Sequence, residues 1–276
     1  MLIGHQLELL DHSQGGIQSL FDQNNFETLK LLYDLYSPVK DGLKPIGERF
    51  KNQLIKMGTK LIRETETSAN GKDLPIKVII SNSQLVENVI EMLLHYRRMI
   101  DECFSKDNSF ERQLMLSFQD FMNLDVGKFS MAEILATYSD KVLRKGGIKG
   151  ERKLIDEQLD SIALLFAYLF DKDLFLLVYR NHLARRLLQE SYEDFELERH
   201  VVTRLKLVCG MQQMNQMQGM LADYVTVKEE SKEFTNFESQ GGAESQAQDG
   251  NFEFTIQCLK TANWPAFKEY SIAMPR

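Results

Sequence analysis

The sequence has few residues that would cross-link a fold or bind a metal ion. Its 276 residues include three cysteines and five histidines. Cys103, Cys209 and Cys258 are far apart and none belongs to a CxxC pair, so we expect neither a disulfide framework nor a zinc site. Buried, reduced thiols are the simplest interpretation. The histidines show no HExxH motif or other ligand spacing. The sequence therefore predicts a protein without a metal ion or a cofactor.

Long hydrophobic runs are also missing. The most apolar window covers residues 162–170 and ends at three charged residues, well short of the ~20 residues that a membrane-spanning helix needs. The N-terminal stretch MLIGHQLELLDH reaches histidine and acidic residues too soon for a secretory signal. We therefore expect a soluble chain of the cytoplasm or the nucleus that does not bind a membrane.

Excess positive charge and catalytic motifs are absent as well. The formal net charge is -7 and the sequence pI is about 5.4, which argues against binding to nucleic acid. The sequence contains no GxSxG motif. The stretch RKGGIKG at residues 144–150 lacks the spacing of a phosphate-binding P-loop, so we interpret it as an exposed loop between helices. We expect no enzymatic activity, and the alternative is an α-helical enzyme with an unrecognised site.

Residues 171–210 contain two helical patterns in succession. We expect Asp173 to cap the first helix by accepting a hydrogen bond from an amide of its first turn. Two apolar stripes follow at helical spacing, one formed by Leu176, Tyr179, Leu183 and Leu187 and the other by Leu177, Ala184 and Leu188. Because a surface helix needs only one such stripe, two stripes predict a helix packed between neighbours in a bundle.

The second helical pattern runs between two capping residues. Asp194 can cap its start, and Gly210 can close its end in a left-handed turn. Its predicted buried face consists of Leu197, Val201, Leu205 and Val208. The preceding helix carries a basic group formed by Arg180, His182, Arg185 and Arg186, and acidic residues follow between positions 190 and 198. Since these acids would neutralise a field that attracts nucleic acid, we interpret the charges as structural pairs between the two helices.

The rest of the chain is mostly helical too, so we expect the mainly α fold class. Six or seven helical patterns precede any strand signal, and one polar break between them is predicted at residues 65–73. Residues 238–251 contain several glycines and no large apolar residue, as flexible linkers do. Residues 252–258 then alternate apolar and polar side chains, and a second alternation follows a Trp264-Pro265 turn. A short two-stranded β segment is therefore predicted near the C-terminus.

Several of these stretches resemble one protein family. Residues 170–188 and 205–210 are similar to the signature stretch of the cullins, the elongated scaffolds of cullin–RING ubiquitin ligases. The stretch FETLKLLYDLYSPVKDGLKPIGERF, at residues 26–50, resembles the start of the third cullin repeat. The strand, Trp-Pro turn and second strand resemble the opening of the cullin α/β domain. Asn263 departs from the family pattern, in which an aromatic residue or glycine usually flanks Trp-Pro.

The resemblance implies a partial cullin with four regions. These are a cullin-repeat-like helical region at 1–143, a four-helix-bundle-like region at 144–237 that can include earlier helices, the linker at 238–251, and the beginning of an α/β domain at 252–276. The expected role is that of a non-catalytic scaffold subunit of a cullin–RING ubiquitin ligase in ubiquitin-dependent protein degradation. The adaptor-binding repeats, the rest of the sheet and the winged-helix module with its modified lysine are expected to be missing.

The predicted strand at 252–258 is the candidate partner-binding site. One face of it would carry apolar side chains, and an open strand edge offers unpaired backbone groups to another chain. The candidate residues are Phe252, Phe254, Ile256, Cys258 and Trp264. The resemblance implies that a RING-box protein adds a strand to this sheet, alongside other ligase components. The alternative is a truncated cullin-like interaction protein that does not assemble a ligase.

Overall fold

A computed structural model describes residues 16–70, 83–147, 152–239 and 257–267. These residues form ten α-helices, which in chain order are Ile17–Asp22 (α1), Phe26–Tyr36 (α2), Lys44–Asn70 (α3), Ser83–Cys103 (α4), Asn108–Met122 (α5), Met131–Leu143 (α6), Arg152–Tyr168 (α7), Lys172–Leu188 (α8), Phe195–Cys209 (α9) and Met211–Ser239 (α10). The mainly α fold class is thereby confirmed. No strand occurs within these ranges, which contain two isolated β-bridges. The predicted β segment lies mostly outside them and stays a prediction.

Local side-chain chemistry explains where α8 and α9 begin and end. Asp194 caps α9, since its carboxylate accepts a hydrogen bond from the amide of Glu196 at 2.9 Å. Gly210 ends α9 with φ 86°, a value that favours glycine. The prediction for Asp194 is confirmed; Gly210 stands at the predicted position with a positive φ, but its ψ of 177° is extended and does not form the left-handed turn that was predicted. The prediction for Asp173 is wrong, because Asp171 precedes α8 and accepts from the amide of Leu174 at 3.0 Å. Asp173 already lies in the first turn of α8.

The break predicted at residues 65–73 does not begin at residue 65, and its last three residues, 71–73, lie outside the described ranges. Helix α3 continues to Asn70. The hydroxyls of Thr65 and Thr67 donate to the carbonyls of Leu61 and Arg63 at 2.9 and 3.0 Å, so both side chains satisfy their polar groups within the helix. A polar composition therefore did not mark a turn at residues 65–70.

The chain divides into two compact units. The first unit comprises Met1–Ser139 and Glu157–Phe175, and the second comprises Asp140–Asp156 and Leu176–Arg276. In the first unit, α3 packs along α5, and the buried ring of Phe50 lies at the centre of an aromatic core. Its neighbours are Phe21, Tyr96, Phe104 and Phe110, with ring centroids 5.6–6.0 Å from that of Phe50. Packed rings of this kind account for the burial of this unit's core.

In the second unit, α9 packs on α10. The first predicted stripe of α8 is buried throughout, as are Leu197, Val201 and Leu205 of α9. Two positions differ from the prediction, because Leu177 and Val208 are exposed. Leu177 belongs to the second stripe of α8, so that stripe is only partly covered. None of the described helices is long and apolar enough to cross a lipid bilayer.

Candidate functional site

Arg186 of α8 is fully buried, and two carboxylates hold its guanidinium group. Nε and Nη2 donate to the two carboxylate oxygens of Glu198 at 2.6 and 2.8 Å, and Nη1 donates to Oδ1 of Asp140 at 2.6 Å. Glu198 is fully buried and Asp140 nearly so. We call these three residues the buried charge cluster. It joins α8 to α9 and to the last turn of α6 inside the second unit.

In the buried charge cluster, the positive charge of Arg186 is compensated by the carboxylates of Glu198 and Asp140. Burial by itself would lower the pKa of Arg186, but the adjacent Glu198 carboxylate together with Tyr179 and Asp140 outweighs burial and the pKa is raised. The ring of Tyr179 lies 5.6 Å from the guanidinium carbon, within cation–π distance. A buried charge is tolerated when it is paired and hydrogen-bonded, as Arg186 is. The predicted structural pairing between the two helices is therefore confirmed for Arg186.

His182 lies at the edge of the buried charge cluster. Its Nδ1 is 3.4 Å from Oδ2 of Asp140, the oxygen to which Arg144 donates at 2.6 Å. Burial lowers the pKa of His182; Asp140 acts in the opposite direction, and the nearby arginines lower the pKa further. His200 on α9 has Arg204 as its neighbour instead. In the described part of the chain, no group of three or more His, Cys, Asp or Glu residues could hold a metal ion.

The glycine-containing loop after α6 is bound to the segment between α8 and α9. The amide of Lys145 donates to the carbonyl of Ser191 at 2.7 Å, and the amide of Gly146 donates to the Glu193 carboxylate at 3.1 Å. Backbone amides that would cradle a phosphate thus bind oxygens of the chain itself. This arrangement agrees with the interpretation of residues 144–147 as a structural loop.

A charged cleft of about 430 Å³ lies between the start of α7 and α9. Its ionisable side chains belong to Arg152, Asp156, Glu196, Arg199, His200 and Arg204. Arg152 pairs with Asp194 at 2.8 Å, and Arg199 pairs with Glu196 at 3.3 Å. These are ion pairs between largely exposed side chains, which is typical of a solvated helix surface.

The described C-terminal segment, residues 257–267, is held against α10 through Asp223. The Asp223 carboxylate accepts hydrogen bonds from the side chains of Asn263 at 3.0 Å and Trp264 at 3.1 Å. The side-chain Nε2 of Gln216 also donates to the carbonyl of Ala262 at 3.3 Å. Asp223 is 5% exposed and Trp264 is 6% exposed. The turn at 260–264 is therefore anchored by polar contacts that are largely shielded from water.

The five sequence-predicted partner residues fall into different environments. Cys258 is exposed and Trp264 is buried against α10. Phe252, Phe254 and Ile256 lie outside the described residues, so their role stays a prediction. The expectation of buried thiols holds for Cys103, whose pKa burial raises to about 11, but it is wrong for Cys258. The predicted residues are therefore not brought together as one described site.

Sequence reasoning did not find Asp223, which is central to this anchor. Asp223 follows Met220 by three residues and precedes Val227 by four, and both of those side chains are buried. An acid at such a position stands on the buried face of a helix, where it needs a hydrogen-bonding partner. That spacing could have identified Asp223 as a buried acid that needs a partner. The donors, however, come from residues forty and more positions later.

Comparison with known proteins relates this helical chain to the cullins. The model of the cullin α-solenoid domain matches residues 1–231. Cullin-1 of Oryza sativa subsp. japonica is 32% identical over 278 residues, covering 100% of this chain and 37% of that protein. Cullin-2 of Arabidopsis thaliana is 32% identical over 97% of this chain and 36% of its own length. Cullin-3A of Arabidopsis thaliana is 28% identical over 96% and 33%.

These relatives are much longer than the matched stretch, since this chain spans about a third of the length of each. The match nevertheless covers nearly all of the chain, and the cullin domain model covers most of it. The chain belongs to the cullin family.

Proposed function

We propose that this protein is a non-catalytic scaffold subunit of a cullin–RING ubiquitin ligase that acts in ubiquitin-dependent protein degradation. The observation that carries the proposal is the match to cullins along the whole chain. A scaffold of this class holds a substrate receptor and a ubiquitin-charged conjugating enzyme at a fixed geometry. A location in the cytoplasm or the nucleus, where such ligases act, belongs to the same proposal.

The buried charge cluster fits a scaffold because it restricts how three helices pack. A guanidinium that donates to two carboxylates has a narrow range of acceptable geometries, whereas apolar side chains slide past one another more easily. Backbone bonds add to this restraint, since the Lys145 and Glu193 amides bind the carbonyls of Ser191 and Leu143 at 2.7 and 2.9 Å. Fixed positioning is what turns an intermolecular transfer into an effectively unimolecular one.

The partner-binding element of the proposal is the predicted strand at 252–258. Its Phe254 stands on the apolar face and Thr255 on the opposite face of the period-two pattern. A RING-box protein would add a strand at this edge through backbone hydrogen bonds, a common mode of recognition between chains. Both the apolar face and the free edge are needed for such binding.

Co-expression with a RING-box protein tests the proposal directly. We expect the full chain to co-purify with it, Phe254→Asp to abolish recovery, and the matched control Thr255→Asp to retain most of it. Reproducible absence of the RING-box protein from preparations of the unaltered, folded chain would reject ligase assembly. That result would favour the alternative of a cullin-like interaction protein that does not assemble a ligase.

A further inference from the structure

Three positions on one face of α10 hold the turn at residues 260–264. Gln216, Gly219 and Asp223 recur at the spacing of successive helical turns and face the same segment. Gln216 binds the Ala262 carbonyl, and Asp223 binds the side chains of Asn263 and Trp264. We call these three α10 positions the α10 notch. The turn itself is closed by the Asn263 amide, which donates to the Lys260 carbonyl at 2.9 Å.

Gly219 makes room for Asn263. A Cβ atom at position 219 would lie 2.4 Å from Cγ of Asn263 and 2.5 Å from both terminal atoms of its amide group. Glycine within a helix costs roughly 1 kcal/mol relative to alanine. This unfavourable residue therefore stands at a position of α10 where the side chain of Asn263 approaches too closely for a Cβ atom. The two residues are sterically matched.

Asp223 supplies the charge that makes the α10 notch specific. Its burial would raise its pKa, but hydrogen bonds from Asn263, Trp264 and the Lys260 backbone, together with the Lys260 charge, lower the pKa below its ordinary value of 3.8. Hydrogen bonds to an ionised carboxylate are stronger than those between neutral groups. Asp223 therefore stays charged at neutral pH, and its two side-chain donors have a strong acceptor.

We propose that the α10 notch is an anchor that fixes residues 257–267 on α10. In this proposal Trp264 binds the anchor and not a partner. Cys258 precedes Lys260 by two residues, so the chain at Cys258 can lie no more than about 7 Å from the anchored turn. The α10 notch thus limits where the predicted strand 252–258 can be presented. Only this last step, the positioning of a strand for a RING-box protein, rests on the proposed function.

Hydrogen–deuterium exchange of the full chain tests the anchor without any partner. In Asp223→Ala, the donors of Asn263 and Trp264 lose their acceptor. Because each such bond to a charged group contributes on the order of a factor of ten or more, the hydrogen-bonded amides of this segment, those of Lys260 and Asn263, should exchange at least about tenfold faster. Amides of α8 and α9 should keep their rates. The control Glu229→Ala, at an exposed acid on the same helix, should leave residues 257–267 unchanged. Unchanged exchange of this segment in Asp223→Ala would overturn the anchor.

The steric match gives a second, independent test. Alanine is the better helix former, so Gly219→Ala would stabilise α10 if nothing approached it. We instead expect faster exchange in residues 257–267, because Asn263 is displaced. Adding Asn263→Gly removes the clash but also one hydrogen bond to Asp223, so it should recover part of the protection through the remaining Trp264 bond. Failure of the double variant to recover protection, or no effect of Gly219→Ala alone, would contradict the match between these two positions.

Partner binding then separates the anchor from the proposed function. If the unaltered chain binds a RING-box protein, Asp223→Ala should weaken that binding at least about tenfold, which is the factor expected from losing hydrogen bonds to a charged group. Glu229→Ala should not weaken it. Equal binding by Asp223→Ala, despite faster exchange, would refute the positioning role and leave the ligase assignment standing. If the unaltered chain binds no RING-box protein, the ligase assignment fails, while the exchange data alone decide whether the α10 notch is an anchor.

Discussion

The two units use different means to build a buried interior. In the first unit, Phe50 packs among other aromatic rings, and Phe104 and Phe110 stack with centroids 4.0 Å apart. In the second unit, the buried interior contains the side chain of Arg186 from α8, which is as fully buried as Phe50. Aromatic side chains stabilise the fold through the apolar area that they bury and the fit between their rings. A buried ion stabilises it only when all its hydrogen-bonding and charged partners are in place. The first kind of interior tolerates adjustment, and the second does not.

The difference between the units also appears in how they fail. Removing one methylene from an apolar core leaves a cavity whose cost depends on how far neighbours relax. Removing the cation from the buried charge cluster leaves Glu198 as a buried carboxylate without its guanidinium partner and leaves Asp140 paired with Arg144 alone, and relaxation cannot supply a charge. The cluster should therefore be the most sensitive point in the chain. Three sets of variants test this comparison, from the largest expected effect to the smallest.

Replacing Arg186 with methionine should have the largest effect. Arg186→Met keeps much of the side-chain volume but leaves the Glu198 carboxylate buried without a cation and removes one of the two arginines that pair with Asp140, so we expect a loss of about 3–5 kcal/mol in the free energy of unfolding. Urea titration followed by circular dichroism measures it. The neighbouring Arg185 is exposed, and Arg185→Met should change the free energy by less than about 0.5 kcal/mol. Similar values for the two variants would show that the buried cation has no special role.

Crowding the first unit should have an intermediate effect. A Cβ atom at Gly58 of α3 would lie 2.4 Å from the ring of Phe121 on α5. We expect Gly58→Ala to destabilise the protein by about 1–3 kcal/mol, because the ring must move within a packed core. Thermal unfolding would register this loss as a lower Tm.

Gly47 provides the matched control on the same helix. A Cβ atom there would meet its nearest neighbour, Gln113, at 3.6 Å, an ordinary contact distance. Gly47→Ala should therefore stabilise the protein by up to roughly 1 kcal/mol through better helix propensity. If both alanine variants stabilised α3, the close approach of α3 to α5 at Gly58 would be refuted.

The pH dependence linked to His182 should be the smallest effect. Burial holds its folded pKa below the ordinary value of 6.5. Between pH 6.5 and the lower folded pKa, the unfolded chain binds a proton at His182 that the folded chain does not. The free energy of unfolding should therefore fall as pH decreases from about 6.5 towards the folded pKa. His182→Gln should reduce this slope in urea titrations. His95 in the first unit also has a pKa lowered by burial, so part of the slope should persist. An identical slope with and without His182 would contradict its burial as a neutral group.

Asp194 and Gly210 show how far short-range sequence logic reaches. Both residues stand at the ends of α9 as predicted, because a helix end depends on residues two to four positions away. Asp173 failed by one acidic residue, since Asp171 stands two positions earlier and offers the same chemistry. The break predicted from residue 65 failed because threonine hydroxyls can bind carbonyls one turn back and remain inside a helix. Each error arose where two local solutions were compatible with the same residues.

The charged residues of α8 mark the limit of that logic. The sequence contained the basic group and the acids that follow it, and a pairing between helices could be predicted. It did not distinguish Arg186, which is fully buried, from Arg185, which is exposed. That distinction depends on the rotation of α8 against its neighbours. Likewise, the partner of Glu198 was foreseeable as a base of α8, but the contribution of Asp140 from α6 was not.

Helix periods, capping residues and the family signature of this protein are local properties, and they could be read from the order of its amino acids because each depends on a few neighbouring positions. Long-range pairings could not be read in this way. The tertiary structure brings Asp140 to Arg186 across 46 positions and Asp223 to Trp264 across 41. Many acids and donors in the chain would satisfy the same chemistry, and only the packing of the helices selects which of them meet, because burial removes water as the competing partner.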